Sequence, residues 1–456
     1  MKKIGLLCIL TSTMLLSGCS NFTLISNSSS SSNTTSSSNS TTTSSSGSSS
    51  SSTSTSGSTT TVPAGESGSY TILIYMCGSD LESGSDGGYA TSDLNEIAAV
   101  SNQPSNVNIA IEAGGAKSWK STYSSVVSGT NLSRFHLENK TFVKGEKDIA
   151  PTKASMGKTS TFQSVLEWGL TQYPAEKTGV IMWNHGGGMY GVCYDENYSD
   201  DSLLNSEVNA ALAGAFASTG RTTKLEWIGY DACLMEVQDI AEFNSQYFNY
   251  MVAAQESESG TGWDYDAWLP TLFANSSVPS TTLLPKICDT FIAENDTLYA
   301  GYGQPNDQTL SVLDLNKAST YKAAWEGVSS QLAIDASTNS LKLSVKTNLL
   351  ASKRYAVDDE SSEDYFCLFD IQDFINKLQA NSSLSTKTTL QSKLTSAENA
   401  LSELIFYNKV GSGAGNSNGL SLFCLSSAYS SFANSIYSTS QTNFTNWRSY
   451  ASTIAY

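Results

Sequence analysis

Two short segments bring together residue types that could break an acyl bond. Val180-Ile-Met-Trp-Asn-His-Gly-Gly-Gly188 runs from β-branched and apolar residues into His185 and three glycines. Leu225-Glu-Trp-Ile-Gly-Tyr-Asp-Ala-Cys-Leu-Met235 runs in the same way into Cys233. A thiol with an imidazole is a nucleophile with its proton acceptor: the thiolate attacks a carbonyl carbon and the imidazolium returns the proton to the leaving group. The imidazole precedes the thiol by 48 positions, so the two belong to separate strand-and-turn units. Either residue by itself also reads as structural, His185 as a side chain capping a buried strand and Cys233 as a packed core thiol. Gly186 to Gly188 shift that balance, because they remove side chains where backbone N–H groups could approach a ligand. The amide of Gly186 with that of Cys233, at the start of a helix, would form an oxyanion hole. The same helix N-terminus would favour the thiolate. Cys193, in Gly-Val-Cys-Tyr-Asp-Glu, is the competing thiol and ranks below Cys233, since an irregular acidic loop disfavours a thiolate. His136 is the other of two histidines in the chain and lies in a polar, strand-like stretch.

These residues need a frame. Short apolar runs at Tyr70 to Met76, Asn108 to Glu112, Gly179 to Trp183, Leu225 to Tyr230, Tyr250 to Ala254 and Thr309 to Leu315 have strand length and composition. Helical patterns alternate with them: Asp80 to Val100, Phe162 to Tyr173, Ser206 to Ala217 and Leu234 to Asn244. Fully apolar strands separated by helices predict an α/β fold, a mostly parallel central sheet covered on both faces. Ligand sites in such sheets lie beyond the carboxyl ends of the strands, where His185 and Cys233 fall. Past Leu315 the pattern turns helix-rich, with Lys317 to Ile334, Leu368 to Leu378 and Thr386 to Phe406 helical and Gly419 to Leu425 a late buried strand. The reading divides the chain into a core over 69–315 and a helix-rich region over 316–456 that completes or flanks it.

The first 68 residues are not part of this frame. Lys2 and Lys3 precede an apolar stretch from Ile4 to Leu16, too short for a stable membrane span, followed by Leu16-Ser-Gly-Cys19. This resembles a bacterial lipoprotein signal over 1–18, which implies cleavage before Cys19, lipid on its sulfur and an extracytoplasmic, membrane-anchored protein. A Ser and Thr run from Asn27 to Thr61 cannot bury enough apolar surface to offset its ordering entropy, so 19–68 reads as a disordered tether. The chain of 456 residues carries 42 acidic and 25 basic side chains, a formal charge of −17, which argues against nucleic-acid or anionic-lipid surfaces and favours cationic partners. Cys77, Cys193, Cys288, Cys367 and Cys424 show no regular spacing and read as buried thiols, and two histidines without a CxxC pair give a zinc site no support.

At Asn184 to Gly188 and Asp231 to Met235 the chain resembles the clostripain family of caspase-like cysteine peptidases. Tyr75-Met-Cys-Gly-Ser-Asp-Leu-Glu82 and Glu256-Ser-Glu-Ser-Gly-Thr-Gly-Trp263 are supporting matches. The resemblance implies a caspase-like α/β/α sandwich and endopeptidase activity through a Cys233–His185 dyad, with no cofactor or metal in the chemistry. It also implies protein or peptide substrates cut after Arg or Lys, with Asp231 lining the pocket for that basic side chain. Asp231 alternatively caps the helix expected after Cys233. Some relatives carry a second acid where this chain has Thr261, and Asp264 and Asp266 are the nearby substitutes. Family members are often activated by self-cleavage between the two catalytic residues, which here points to Arg221 or Lys224, with Arg221 preferred. Calcium stimulation, known in part of the family, is not readable from the scattered Asp195, Asp200 and Asp201. The alternative function from another class is a lipid-tethered surface binding protein that keeps the fold without turnover.

Overall fold

The computed structural model describes residues 65–127, 129–357, 366–425 and 441–455; the leader, Cys19 and most of the tether lie outside them. The apolar runs form five adjacent parallel strands, in spatial order β9 (Phe248–Ala253), β8 (Leu225–Asp231), β5 (Lys177–Trp183), β1 (Tyr70–Cys77) and β2 (Val107–Gly114). Antiparallel strands extend both edges. β3 (Ser133–Glu138) and β4 (Thr141–Val143) continue from β2, and β10 (Thr309–Asp314) and β12 (Ile405–Val410) continue from β9. The expected mostly parallel sheet is therefore present, with mixed edges.

Alternation along β1 shows how the sheet divides its contacts. Leu73, Tyr75 and Cys77 face one apolar cluster, and Tyr70, Ile72, Ile74 and Met76 face the other, as a period of two requires. On the second face lie α2 (Tyr89–Ala99), α6 (Tyr265–Ala274) and α7 (Ser280–Gly301). On the first lie α3 (Thr159–Gln172), α4 (Asn205–Thr219), α5 (Gln238–Asn244), α8 (Ala318–Asp335), α9 (Asn339–Leu350), α10 (Ile371–Ala380), α11 (Thr388–Leu404) and α12 (Thr445–Ile454). The layers make an α/β/α sandwich. The helix-rich C-terminal region shares the core of the first face through Trp325, Phe374, Leu401 and Trp447. It also donates β12 to the sheet, so the chain after residue 315 is continuous with the core.

Several local expectations change. The single helix predicted over Asp80 to Val100 is broken into α1 (Ser79–Ser83) and α2, because Gly84, Gly87 and Gly88 intervene and Gly88 takes a φ of 104°. Leu368–Asp370, read as helical, is strand β11, paired with β13 (Ser421–Phe423) outside the main sheet. Ile405 and Phe406 belong to β12 rather than to a helix end. The segment around Cys193, expected to be an irregular loop, is β6 (Val192–Asp195), which pairs with β7 (Asp201–Leu203).

Candidate active site

β5 and β8 are neighbours with Trp183 opposite Asp231, so the residues beyond each strand leave the sheet side by side at its carboxyl edge. Asn184 fixes the first of these exits. It is buried, its amide donates to the Cys77 carbonyl at 2.6 Å, its side-chain oxygen accepts the Tyr194 N–H at 2.7 Å, and its own N–H donates to the Asp231 carbonyl at 3.3 Å. One residue thus ties β1 and β6 through its side chain and β8 through its backbone, directly before His185. The chain then folds back on β6: Cys193 N–H donates to the His185 carbonyl at 3.3 Å and Gly187 N–H to the Gly191 carbonyl at 2.9 Å. Gly186 sits between these two hydrogen bonds, bridged to Val192.

The two loops touch through backbone. A Cβ built on Gly186 would collide with the Cys233 carbonyl oxygen, and one on Gly188, whose φ is 57°, would crowd the Leu234 carbonyl at 3.2 Å. Glycine is needed at 186 because a backbone approach this close leaves no room for any side chain. Gly186→Ala should therefore displace the Cys233 loop and, on the peptidase reading that the resemblance implies, lower kcat by roughly 10²-fold, since catalytic groups tolerate little misplacement. Turnover measured on folded, thiol-titrated protein tests this, and wild-type kcat in the variant would contradict the contact.

Cys233 lies in a turn, not at a helix start. α5 begins only at Gln238, after Leu234 with φ 67° and an extended stretch in which Leu234 N–H donates to the Glu256 carbonyl and Glu236 N–H to the Ala254 carbonyl. This corrects the expectation of a helix N-terminus at the thiol: pairing with the segment after β9 keeps the backbone extended. The sulfur has a different electrostatic partner. The Glu258 N–H donates to Cys233 Sγ at 3.3 Å, a fixed backbone dipole that favours negative charge on sulfur. The competing thiol at Cys193 is fully buried in β6, where burial pushes its titration up.

His185 and Cys233 line one narrow cleft together with Leu81, Trp183, Asn184, Asp231, Glu258 and Gly260. On the ring, Nε2 lies 2.8 Å from Asp80 Oδ1. His136, by contrast, is held in β3 between Asp148 at 2.7 Å and Glu138 at 2.9 Å and does not line the cleft.

Asp231 ends β8 with its carboxylate buried. Oδ2 accepts the Tyr265 hydroxyl at 2.8 Å and the Trp263 N–H at 3.3 Å. No helix begins at Cys233 for it to cap. Burial raises its pKa to about 6, offset in part by the Tyr265 hydrogen bond. The second acid on the cleft is Glu258, whose two carboxyl oxygens are buried beside the Asp231 carboxyl and the Trp263 indole. Desolvation, then the proximity of Asp231, pushes Glu258 well above the usual carboxylate range. The sequence motifs include Asp80, Asn184 and Glu258 without giving any of the three a role. The suggested substitutes for a second acid, Asp264 and Asp266, do not line the cleft, and neither does Thr261. Asp264 instead stands before α6.

Arg221 and Lys224 lie in the turn between α4 and β8, at the amino edge of the sheet, a full strand length from Cys233. The Arg221 guanidinium folds onto the carbonyls of Thr223 and Lys224. The structure does not bring either residue to the cleft. Asp195 and Asp201 are engaged locally, Asp195 with the N–H groups of Met156 and Asn197 and Asp201 with Ser155 and Lys158. Among the described residues no helix is long and apolar enough to cross a membrane.

The sequence model of the clostripain family matches residues 74–453. Clostripain from Hathewaya histolytica is 23% identical over 311 residues, which cover 59% of this chain and 57% of clostripain. The match thus spans a little over half the length of that relative. Among solved structures, a secreted C11 cysteine protease from Bacteroides thetaiotaomicron in complex with an irreversible peptide inhibitor superposes with a TM-score of 0.57 at 16% identity, covering 84% of this chain and 98% of that one. An inactive zymogen C11 protease from Parabacteroides distasonis gives 0.54 at 16% identity, covering 85% and 98%. At these identities the structural likeness speaks for the fold.

Proposed function

Because the chain belongs to the clostripain family and has a caspase-like α/β/α fold, we propose that it is a cysteine endopeptidase working through Cys233 and His185. The observation that carries this is their convergence on one cleft from adjacent parallel strands, with the backbone of Gly186 against that of Cys233. Cys233 Sγ forms a bond to the scissile carbonyl carbon as its proton passes to His185. The collapse of that adduct breaks the C–N bond, and the imidazolium protonates the departing amine. Water, deprotonated by His185, then releases the acid and restores the thiol. The amides of Gly186 and Cys233 are the proposed donors to the oxyanion. Thiol, imidazole and backbone amides carry this chemistry.

The proposed substrates are proteins or peptides with Arg or Lys before the scissile bond. Buried Asp231 supplies the negative charge that a guanidinium or ammonium would meet in a sheltered place, with the protonated Glu258 carboxyl beside it. We further propose an extracytoplasmic location with lipid on Cys19, resting on the leader sequence. One structural relative is described as secreted. Self-cleavage after Arg221 or Lys224 is retained as a proposal in a narrower form: it requires a second molecule, because the turn and Cys233 occupy opposite edges of the sheet.

Purified full chain in detergent should hydrolyse an arginyl fluorogenic peptide and lose that activity to iodoacetamide. Mass spectrometry of the same preparation should find acyl chains on Cys19, and any cut at Arg221 or Lys224 should accelerate with protein concentration and be absent in Cys233→Ala. A chain that binds peptides without cleaving them would establish the binding-protein alternative.

A further inference from the structure

On the peptidase reading of this cleft, we infer that Asp80 is a positioning residue for His185: it holds the ring through Nε2 and leaves Nδ1 as the nitrogen that exchanges protons with Cys233 and the leaving amine. β1 is the strand beside β5, and its end is built to deliver this carboxylate. Gly78 N–H donates to the Gly114 carbonyl at 2.7 Å, Ser79 turns the chain with a φ of 48°, and α1 starts there. The Asn184 amide grips the Cys77 carbonyl at 2.6 Å. The same clamp therefore fixes the residue before His185 and the strand end three residues before Asp80.

The carboxylate is aimed. Of the two acids on α1, Glu82 is buried and turned away, accepting from the Thr91 N–H and hydroxyl and from the Lys120 N–H. Asp80 alone faces the imidazole, with Oδ1 at 2.8 Å from Nε2. Lys117, which lies within electrostatic reach of Asp80, is paired with Glu196 at 3.1 Å. The hydrogen bond from His185 is the main cause holding the Asp80 carboxyl below its usual range.

A carboxylate only accepts, so Nε2 carries the hydrogen and the neutral ring presents its lone pair at Nδ1. Asp80 does not line the cleft, whereas its neighbour Leu81 and His185 do. It thus sits behind the ring as seen from the substrate. There it sets the tautomer and opposes the positive charge that appears on the ring while the thiol is ionised.

The test compares Asp80→Ala and Asp80→Asn with the parent full chain. Asp80 side-chain exposure is 60%, so neither substitution removes core packing. In Asp80→Ala, kcat for the arginyl peptide should fall about 10- to 100-fold with KM little changed. Alkylation of Cys233 by iodoacetamide, corrected against Cys233→Ala, should slow roughly tenfold at pH 6 and approach the parent rate at pH 9, where the thiolate forms without the imidazolium. Asp80→Asn keeps an acceptor but no charge and should fall between the two. Unchanged kcat and an unchanged alkylation profile in both variants would overturn the assignment. If the parent cleaves no peptide but its alkylation profile still moves with Asp80, the positioning role stands and the peptidase reading falls.

Discussion

Replacing Cys233 by alanine should lower kcat on an arginyl peptide by roughly 10⁴-fold or more, with His185→Ala nearly as severe and the double variant no worse than the single ones. The reason is geometric. The thiol and the imidazole act as one unit, and removing either leaves only binding and oxyanion contacts, which by themselves give a small residual acceleration. The variants should remain folded: Cys233 sits in a turn whose backbone is held by Glu256, and its sulfur accepts a backbone N–H at 3.3 Å. Circular dichroism and active-site titration alongside the rate measurement separate chemistry from folding. Losses that multiply in the double variant would mean that the two residues contribute independently, contrary to a dyad. Full activity in Cys233→Ala would remove the proposed nucleophile altogether.

The second large effect is expected at Asp231. Asp231→Asn should cut kcat/KM for arginyl substrates by about 10²- to 10³-fold, because a buried carboxylate paired with a guanidinium is strong and its neutral isostere leaves the cation unpaired. The loss should be confined to basic substrates. Acid should imitate the substitution in the parent chain: burial raises Asp231 to about 6, so protonation below that pH removes the charge that reads the cation, and kcat/KM should fall there for arginyl peptides. The same buried charge acts on stability with the opposite sign. Its folded pKa lies above the unfolded value, so the native state holds the proton more tightly. Stability is then lost as pH rises from the unfolded pKa through about 6. Asp231→Asn should consequently unfold at higher temperature than the parent at pH 7.5, by on the order of 1–3 kcal/mol of stability. Unchanged arginyl kcat/KM in the variant would reject Asp231 as the specificity residue.

The parallel core and the placing of His185 and Cys233 at one edge of it were legible from sequence for a simple reason. Strands buried on both faces must be continuously apolar, and the runs ending at Trp183 and Asp231 have that composition. Such strands deliver the residues beyond them to one edge, so His185 and Cys233 could be paired without coordinates. Edge strands carry a weaker signal: β12, Ile-Phe-Tyr-Asn-Lys-Val, is only partly buried and continues a helical pattern until pairing with β10 ends it.

What the sequence by itself determined is the pair of loops, their place at one edge of a parallel sheet and the glycines that follow His185, because these arise from local composition and spacing. Only the tertiary structure decided the electrostatics around them. Asp80 and Glu258 lie 105 and 73 positions from His185, and nothing in their own segments says which side chain they will face. The helix expected at Cys233 failed for the same reason, since pairing with the segment after β9 held the turn extended and put the Glu258 amide on the sulfur. Position along the chain sets which groups leave the sheet together; hydrogen bonds between distant segments set how those groups are charged and aimed.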